Sequence, residues 1–390
     1  MRPTVLKLTA GFLLFCGLVP VAKSQSTARP INVVTTAVPF LRISPDARAG
    51  GMGDIGVATS ADAASGFWNM GKVAFNESQA GVLATYTPWL KNLVNDVYLA
   101  SLSGYYKLDE MQAVNLGLRY FSLGNIQFTD GVGNSWGNGK PREFSIDLGY
   151  SRKLSDKLGL GIALRYINSD LTNGVPSGST TYKAGNSVAG DIGFYYNGHD
   201  EAGDGFAFGA TLTNLGSKIS YTGNADSKDF IPANLGLGST WTKNFNEDNK
   251  LTFGLDINKL LVPTPPADLS DPNAVAEYRK KGVVSSWFSS FGDAPDGFKE
   301  ELKEFQVSAG AEFWYKNQFA LRAGYFFEDK TKGNRRYFTT GIGVKYNIFG
   351  LNFSYLLPSG SGVTQNPLSN TLRFSILFDL DPAAGEGGEE

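Results

Sequence analysis

Residues 157–166 read KLGLGIALRY, and the alternation in this stretch decides the fold class. Leu158, Leu160 and Ile162 share one set of positions, while glycine, alanine and arginine fill the other. Because successive side chains of a β-strand point to opposite faces, the stretch predicts a strand with one apolar face and one small or polar face. The same pattern returns in FALRAGYFFE, residues 319–328, and in TLRFSILFDL, residues 371–380.

About fourteen segments along the chain follow this pattern. They lie at about 80–87, 95–107, 111–122, 142–153, 157–169, 188–197, 205–214, 233–243, 250–258, 304–315, 318–328, 336–347, 349–357 and 370–380. Most have the ~9 to 11 residues that a tilted strand needs to cross a bilayer. Short and long connections alternate between them, as the short periplasmic turns and long outer loops of outer-membrane barrels do. The sequence therefore predicts an all-β transmembrane barrel of antiparallel strands in the outer membrane, with both termini in the periplasm.

Composition supports this fold class and excludes some partners. The chain has 47 glycines among 390 residues and is 13% aromatic but only 18% charged, a balance that favours β-structure. The formal net charge of −2 provides no strong field of either sign. Nucleic acid is therefore not indicated as a partner. Outer-membrane lipids are expected partners because the predicted barrel spans the membrane.

The two ends of the chain are interpreted apart from the barrel. Residues 1–24 combine basic Arg2 and Lys7 with an apolar core and a small-residue cleavage site, which is typical of a signal peptide. Cys16, the only cysteine, lies there, so no disulfide or thiol chemistry is expected after cleavage. Residues 80–380 form the predicted barrel, and 381–390 a predicted acidic periplasmic tail.

Residues 25–79 precede the first strand and are predicted to plug the lumen. A barrel of this size needs either an open channel or a filling. The stretch SADAASGFWNM, residues 60–70, offers small residues for close packing and bulky residues as fillers. The predicted plug motif consists of Asp62, Ala63, Phe67, Trp68 and Asn69.

The alternation also points nine charged side chains into the lumen. They are Arg119, Asp147, Arg165, Asp191, Asp256, Glu312, Arg322, Lys345 and Arg373. One interpretation is a hydrated lining whose charges pair with one another, and the other is a pathway for a solute.

The sequence contains no recognisable catalytic or metal-binding pattern. The one histidine, His199, lies in a turn, and no cluster of histidine and cysteine has the spacing of metal ligands. The run GGMGDIG does not open a βαβ unit, so it is not interpreted as a nucleotide loop. We expect no cofactor and no enzymatic activity.

The longest outer loop contains a helical pattern. Asp271 before Pro272 resembles a helix N-cap. Apolar residues follow at helix-like intervals, and the candidates for partner binding are Tyr278, Trp287, Phe288 and Phe291. Such a stripe either packs over the barrel mouth as a lid or anchors a partner.

The N-terminal region also carries a family resemblance. Long-chain fatty-acid-transporter-like outer-membrane proteins have a D-A-x-x-x-x-x-N-P-A pattern, which Asp62, Ala63 and Asn69 match while Met70 and Gly71 depart from it. Residues 40–75, FLRISPDARAGGMGDIGVATSADAASGFWNMGKVAF, more closely resemble the PorV family of outer-membrane proteins, which belong to the type IX secretion system of Bacteroidetes-type bacteria.

This resemblance implies a function without catalysis. Members of the family dock on the large translocon barrel, take up cargo by its C-terminal signal domain and deliver it to the attachment complex that contains the PorU sortase. The alternative function is a fatty-acid-transporter-like channel for hydrophobic solutes. A lipid A deacylase is a third and weaker idea, because no serine and base are arranged for it.

Overall fold

The computed structural model describes residues 32–89, 96–172, 182–223, 227–266, 268–359 and 371–381. The predicted signal peptide and nearly all of the predicted tail lie outside these ranges.

Fourteen strands close into one antiparallel barrel, as the alternation predicts. In chain order the strands are β1 Ala80–Pro88, β2 Val97–Lys107, β3 Gln112–Leu123, β4 Ile126–Thr129, β5 Ser135–Gly139, β6 Arg142–Lys153, β7 Leu158–Asp170, β8 Gly185–Asn197, β9 Gly205–Gly216, β10 Ile219–Ser220, β11 Lys228–Asp229, β12 Asn234–Asn244, β13 Asn249–Leu260, β14 Gln306–Tyr315, β15 Phe319–Phe327, β16 Arg336–Tyr346, β17 Phe349–Pro358 and β18 Leu372–Leu380. The pairs β4–β5 and β10–β11 are small hairpins outside the barrel sheet. Since β1 pairs with β18, the barrel sheet has no free edge.

The helices are short and fall in two regions. The N-terminal region has 3₁₀ turns at Pro39–Arg42 and Met70–Phe75 and single helical turns α1 (Ala47–Gly50) and α2 (Ser65–Trp68). The loop after β13 contains α3 (Pro272–Lys280), α4 (Val283–Ser289), α5 (Phe298–Glu301) and a 3₁₀ turn at Leu302–Glu304. Among the described residues, no helix has the length and apolar character to span a membrane.

The two faces of the wall differ as the sequence pattern predicts. In β7, Ile162 and Leu164 are 56% and 68% exposed on the outside, while Ala163 and Arg165 are buried inside. An outer surface of this kind is suited to contact with hydrocarbon.

The described ends of the chain lie at opposite ends of the barrel. Asn32 donates its side-chain amide to the Pro265 carbonyl, 3.5 Å away, in the long loop after β13. Asp379, near the other end, donates its backbone amide to the Ile348 carbonyl at 2.8 Å, in a short turn. The described part of the chain thus begins at the long-loop end and ends at the short-turn end. The location of both termini in the periplasm remains a prediction, because residues 1–31 and 382–390 lie outside the described ranges.

Candidate functional site

The N-terminal segment, residues 32–79, lies inside the barrel and bonds to the wall around most of its circumference. The contacts, strand by strand, join Ser103 of β2 to Ala63, Ser151 of β6 to Ala74, Phe194 of β8 to Asn69, Thr240 of β12 to Ala58, Asp256 of β13 to Gly56 and Val57, Glu312 of β14 to Arg48, Thr339 of β16 to Gly53, and Ser375 of β18 to Ala47. These contacts place the segment where a plug would lie.

The segment crosses the lumen from the long-loop end to the short-turn end. Near its start, the Ala37 amide donates to the Phe230 carbonyl at 2.9 Å, in the connection between β11 and β12. Near its end, the Ala74 amide donates to Ser151 Oγ at 3.1 Å, shortly before β1 begins at Ala80. The chain has thus passed through the lumen before it forms the first strand.

Two residues of the predicted plug motif, Asp62 and Ala63, lie in a turn beside β2. Asp62 accepts a hydrogen bond from the Ala64 amide at 2.9 Å and forms an ion pair with Arg48 at 2.8 Å. Ala63 is fully buried, and its carbonyl accepts a hydrogen bond from Ser103 Oγ at 2.6 Å. Both residues therefore hold the segment in place.

The aromatic residues of the motif, Phe67 and Trp68, pack edge to face with their ring centres 4.9 Å apart. Trp68 Nε1 donates to the Asp46 carboxylate at 2.7 Å. The Arg119 guanidinium of the wall lies 4.6 Å from the centre of the Phe67 ring, within the range of a cation–π contact. Burial and the charge of Asp62 raise the pKa of Asp46 above its ordinary value.

Asn69 joins the segment to itself and to the wall. Its side-chain amide donates to the Val57 carbonyl at 2.9 Å and to the Phe194 carbonyl of β8 at 2.8 Å. Its side-chain oxygen accepts a hydrogen bond from the Gly71 amide at 2.9 Å. Because both donors and the acceptor are used, asparagine suits this position by its chemistry.

Four of the nine predicted lumen charges bond directly to the N-terminal segment. Arg119 donates to the carbonyls of Phe40, Leu41 and Ile43, Asp256 accepts from the amides of Gly56 and Val57, Glu312 pairs with Arg48, and Arg373 pairs with Asp54. These side chains therefore bind the segment as well as line the lumen.

Glu312 accepts three hydrogen bonds from two arginines. It receives Arg48 Nε and Nη2 at 2.9 and 2.8 Å and Arg322 Nε, from β15, at 2.7 Å. Its side chain is only 2% exposed. One buried carboxylate thus joins two strands and the N-terminal segment.

The remaining predicted charges pair within the wall. Arg165 bonds to Asp147 of β6 and, at 2.9 Å, to Asp191 of β8. Lys345 lies at the short-turn end, where it pairs with Asp379 at 2.6 Å, and its side chain is 39% exposed. It belongs to the rim and not to the buried lumen.

Inner-face glycines allow the segment to approach the wall backbone to backbone. A Cβ atom added to Gly324 would overlap the Met52 carbonyl group, and one added to Gly310 would overlap the same carbonyl. Close approach, and not turn formation, therefore requires glycine at these two strand positions.

The helical part of the longest outer loop differs from the single stripe that the sequence predicts. The Asp271 cap is confirmed, since its side chain accepts the Asn273 amide. However, α3 ends at Lys280 and a new helix, α4, begins at Val283 after an extended Gly282. The break divides the predicted stripe between two helices.

The four predicted partner-binding residues consequently have different environments. Tyr278 packs edge-on against Phe230 with ring centres 5.5 Å apart, and Trp287 is half-buried. Phe288 is 75% exposed and Phe291 44% exposed. Of the four, only Phe288 and Phe291 are exposed.

The same loop exposes further apolar side chains that the sequence analysis did not select, two of them near its C-terminal end. Phe298 is as exposed as Phe288, and Leu302 is also exposed. Both lie in or next to α5, where no helical periodicity marks them.

A buried network of ion pairs fastens α5 to the barrel. Lys259, at the end of β13, pairs with Glu301 at 2.6 Å and Glu304 at 2.8 Å. Lys332, between β15 and β16, pairs with Glu300 at 2.6 Å and Glu304 at 3.0 Å. Although burial raises it, the hydrogen bond from Lys332 leaves the pKa of Glu300 below its ordinary value. The three glutamates of this network lie in the run EELKE, residues 300–304. In the sequence alone this run resembles a solvent-exposed helix face, so it did not indicate a buried network.

Within the ranges that the structure describes, no three histidine, cysteine, aspartate or glutamate side chains are placed to hold a metal ion. His199 lies in the turn after β8, with its backbone amide 3.4 Å from Asn197 Oδ1.

Comparison with known proteins gives a family and a fold. The family described as type IX secretion system protein PorV matches residues 25–267. No curated protein matches the chain.

Solved structures of transporters share the architecture. The toluene transporter TbuX of Ralstonia pickettii is 12% identical with a TM-score of 0.53, covering 86% of this chain and 98% of its own. The toluene transporter TodX of P. putida is 13% identical with a TM-score of 0.52 over the same shares. At these identities the likeness concerns the fold alone.

Proposed function

Because the chain belongs to the PorV family of type IX secretion system proteins, we propose that it is a cargo shuttle of that system in the outer membrane. It binds the C-terminal signal domains of cargo at the large translocon barrel and passes them to the attachment complex that contains the PorU sortase. We propose no catalytic step for it.

The exposed aromatic side chains of the longest outer loop carry this proposal. Phe288 and Phe298 are each 75% exposed and Phe291 is 44% exposed, outside the strands that face lipid. Large aromatic side chains dominate the energetics of protein interfaces. Their loop is held by the buried lysines Lys259 and Lys332, which lowers the entropic cost of binding a partner.

The test is the triple variant Phe288→Ala, Phe291→Ala, Phe298→Ala in cells that secrete cargo through this system. Each lost anchor at an interface hot spot costs about 2 kcal/mol or more. We expect loss of co-purification with the translocon barrel and loss of cargo at the cell surface, while the barrel still shifts on gels when heated.

Phe245→Ala is the matched control, since Phe245 is 60% exposed in a short turn at the opposite end of the barrel. It should secrete cargo normally. Normal secretion by the triple variant would show that the loop is a lid and not a docking surface.

The alternative function is a channel for hydrophobic solutes, since the structural neighbours TbuX and TodX are toluene transporters. The wall contacts of the N-terminal segment favour the shuttle, because among the described residues they place paired charges and backbone groups of the segment where a solute would have to pass. Uptake of a hydrophobic solute that depends on this protein, with secretion unaffected by its deletion, would favour the channel.

A further inference from the structure

The outside of the barrel carries a groove of about 640 Å³ where β1, β2, β3, β6 and β7 run side by side. Outward-facing residues of these strands form it in two rows, and within each row the residues pair from strand to strand. The row nearer the long loops is Val82, Gly104, Leu116, Leu148 and Leu164, and the row nearer the short turns is Tyr106, Val114, Tyr150 and Ile162. We call this surface the outer groove. It shares no residue with the loop proposed for partner docking.

Gly104 makes the deepest part of the outer groove. It faces outward between Val82 of β1 and Leu116 of β3, its partners in the two neighbouring strands. A Cβ atom added to it would meet the Gly81 carbonyl oxygen at 3.1 Å and Val82 Cγ2 at 3.5 Å. The missing side chain therefore leaves a hollow in an apolar surface, and an apolar chain of matching width would gain contacts there.

A cation lies one step beyond the outer groove on the same face of β6. Arg152 follows Tyr150 by two residues, so its side chain leaves the same face of the strand about 7 Å closer to the short turns. Arg152 is exposed, and among the described residues its side chain forms no hydrogen bond and no ion pair. The guanidinium is therefore available to an anion from outside the chain.

Polar groups surround Arg152 and bond to one another. Tyr150 donates its hydroxyl to Gln112 Oε1, and Gln112, the strand partner of Arg152, donates its amide to Asp109 Oδ2 at 2.6 Å. Asp109 also accepts the Met111 amide at 2.7 Å. The outer surface thus changes from apolar to polar between Tyr150 and Arg152, as it does where a barrel passes from hydrocarbon to lipid headgroups.

We propose that the outer groove binds a phospholipid of the leaflet at the short-turn end, with its phosphate at Arg152 and one acyl chain across Leu148 and Leu116 to Gly104. A guanidinium matches a phosphate in geometry and charge. The hollow at Gly104 matches an acyl chain, and acyl chains are the medium that covers this face of a membrane barrel. This inference does not rest on the proposed secretion function.

The test uses the full-length protein, purified in detergent and freed of lipid, with native mass spectrometry to count bound lipids. On titration with dioleoylphosphatidylglycerol we expect one adduct to saturate before any other. Dioleoylglycerol has the same chains without the phosphate and should bind more weakly by about fivefold or more. Equal affinity for the two lipids would overturn the proposal, and so would displacement of the phospholipid by an equal concentration of inorganic phosphate.

Arg152→Gln should weaken phosphatidylglycerol binding by about fivefold or more and leave dioleoylglycerol binding unchanged. Lys316→Gln is the matched control, since Lys316 is an exposed cation in a short turn next to β14, on the other side of the barrel. It should bind both lipids like the wild type. Unchanged phosphatidylglycerol affinity in Arg152→Gln would contradict a phosphate site at this arginine.

Gly104→Leu fills the hollow and should weaken both lipids by about fivefold or more, because both place an acyl chain there. Ala323→Leu, at an outward position of β15 outside the outer groove, is its control and should bind both lipids normally. If Gly104→Leu fails to give a heat-modifiable barrel, a phosphatidylglycerol with a photoreactive acyl chain serves instead. It should label residues 112–123 and 142–153 of the wild type more than residues 319–327, and equal labelling would overturn the proposal. Dimers of the lipid-free protein that phospholipid does not dissociate would assign the outer groove to a second copy of the chain.

Discussion

At the scale of single residues, buried charges hold the N-terminal segment in the lumen. Arg373 pairs with Asp54 at 2.9 Å, and Tyr337 donates its hydroxyl to the same carboxylate at 2.7 Å. When such pairs are buried, they matter mainly through what their loss leaves behind, since a lone buried charge is costly.

Glu312→Gln is expected to destabilise the barrel. The change leaves Arg48 and Arg322 without their shared carboxylate, and removing one partner of a buried ion pair costs about 3–5 kcal/mol. The temperature at which the folded gel band converts to the unfolded band should fall. Glu110→Gln, whose side chain is 89% exposed, should convert at the wild-type temperature. Identical conversion temperatures for the two variants would mean that the ion pairs of Glu312 with Arg48 and Arg322 contribute nothing to the stability of the barrel.

Gly324→Ala is expected to displace the N-terminal segment from the wall. The added Cβ would meet the Met52 carbonyl, a backbone group that cannot rotate away. Gly190→Ala is the matched control, because its Cβ would meet nothing closer than the Ala163 carbonyl oxygen at 3.6 Å. Protease digestion from the outer side should cut the first variant near its N-terminal segment and spare the second, and equal protection of the two would contradict this.

At the scale of elements, the helical loop depends on its ionic attachment. α3, α4 and α5 are each shorter than the ~12 residues that an isolated helix needs to be stable in water. Their arrangement therefore requires tertiary contacts, among which the lysine–glutamate network is the most buried.

Lys259→Met is expected to loosen this loop without unfolding the barrel. The change leaves Glu301 with no cation partner among the described residues and Glu304 with Lys332 alone. Limited proteolysis on intact cells should then cut within residues 268–305. Lys280→Met, at an exposed position of α3, should remain as resistant as the wild type. If Lys259→Met is equally resistant, the network does not position the loop.

At the scale of the whole molecule, the chain passes through its own barrel. Asn32 lies at the long-loop end and β1 begins at the other, so the segment between them spans the lumen. A closed sheet filled in this way is expected to leave little open cross-section for a channel.

We expect the intact protein to show little conductance in planar bilayers. Deleting residues 60–72 removes the predicted plug motif and its contacts with β2 and β8, and should raise the conductance. Large, steady channels formed by the intact protein would contradict a sealing role for the segment.

Thr35→Cys is expected to react with a membrane-impermeant maleimide on intact cells, because Thr35 is exposed near the long-loop end. The only native cysteine, Cys16, lies within the predicted signal peptide, so the background should be low. Thr35→Cys labelled only after the outer membrane is permeabilised would place this end of the segment in the periplasm. Glu247→Cys, in a short turn, should need permeabilisation.

The sequence by itself determined the barrel. All fourteen predicted strands are present, with boundaries that differ by no more than a few residues, as in β8, which begins at Gly185 and not 188. It could do so because the period of two and the need for an apolar outer face are local properties, readable strand by strand. The Asp271 cap was predictable for the same reason.

Only the tertiary structure decided what each inward charge bonds to, where the loop helices break and on which side the chain enters the lumen. Alternation shows that Arg165 and Glu312 face inward. It does not show that Arg165 pairs within the wall, or that Glu312 pairs with Arg48, which is 264 residues away from it in the chain. For the same reason, only the tertiary structure shows that Lys259 and Lys332 both pair with Glu304 and so hold the outer loop. Partners so distant in sequence meet only once the barrel closes, and no local period records that meeting.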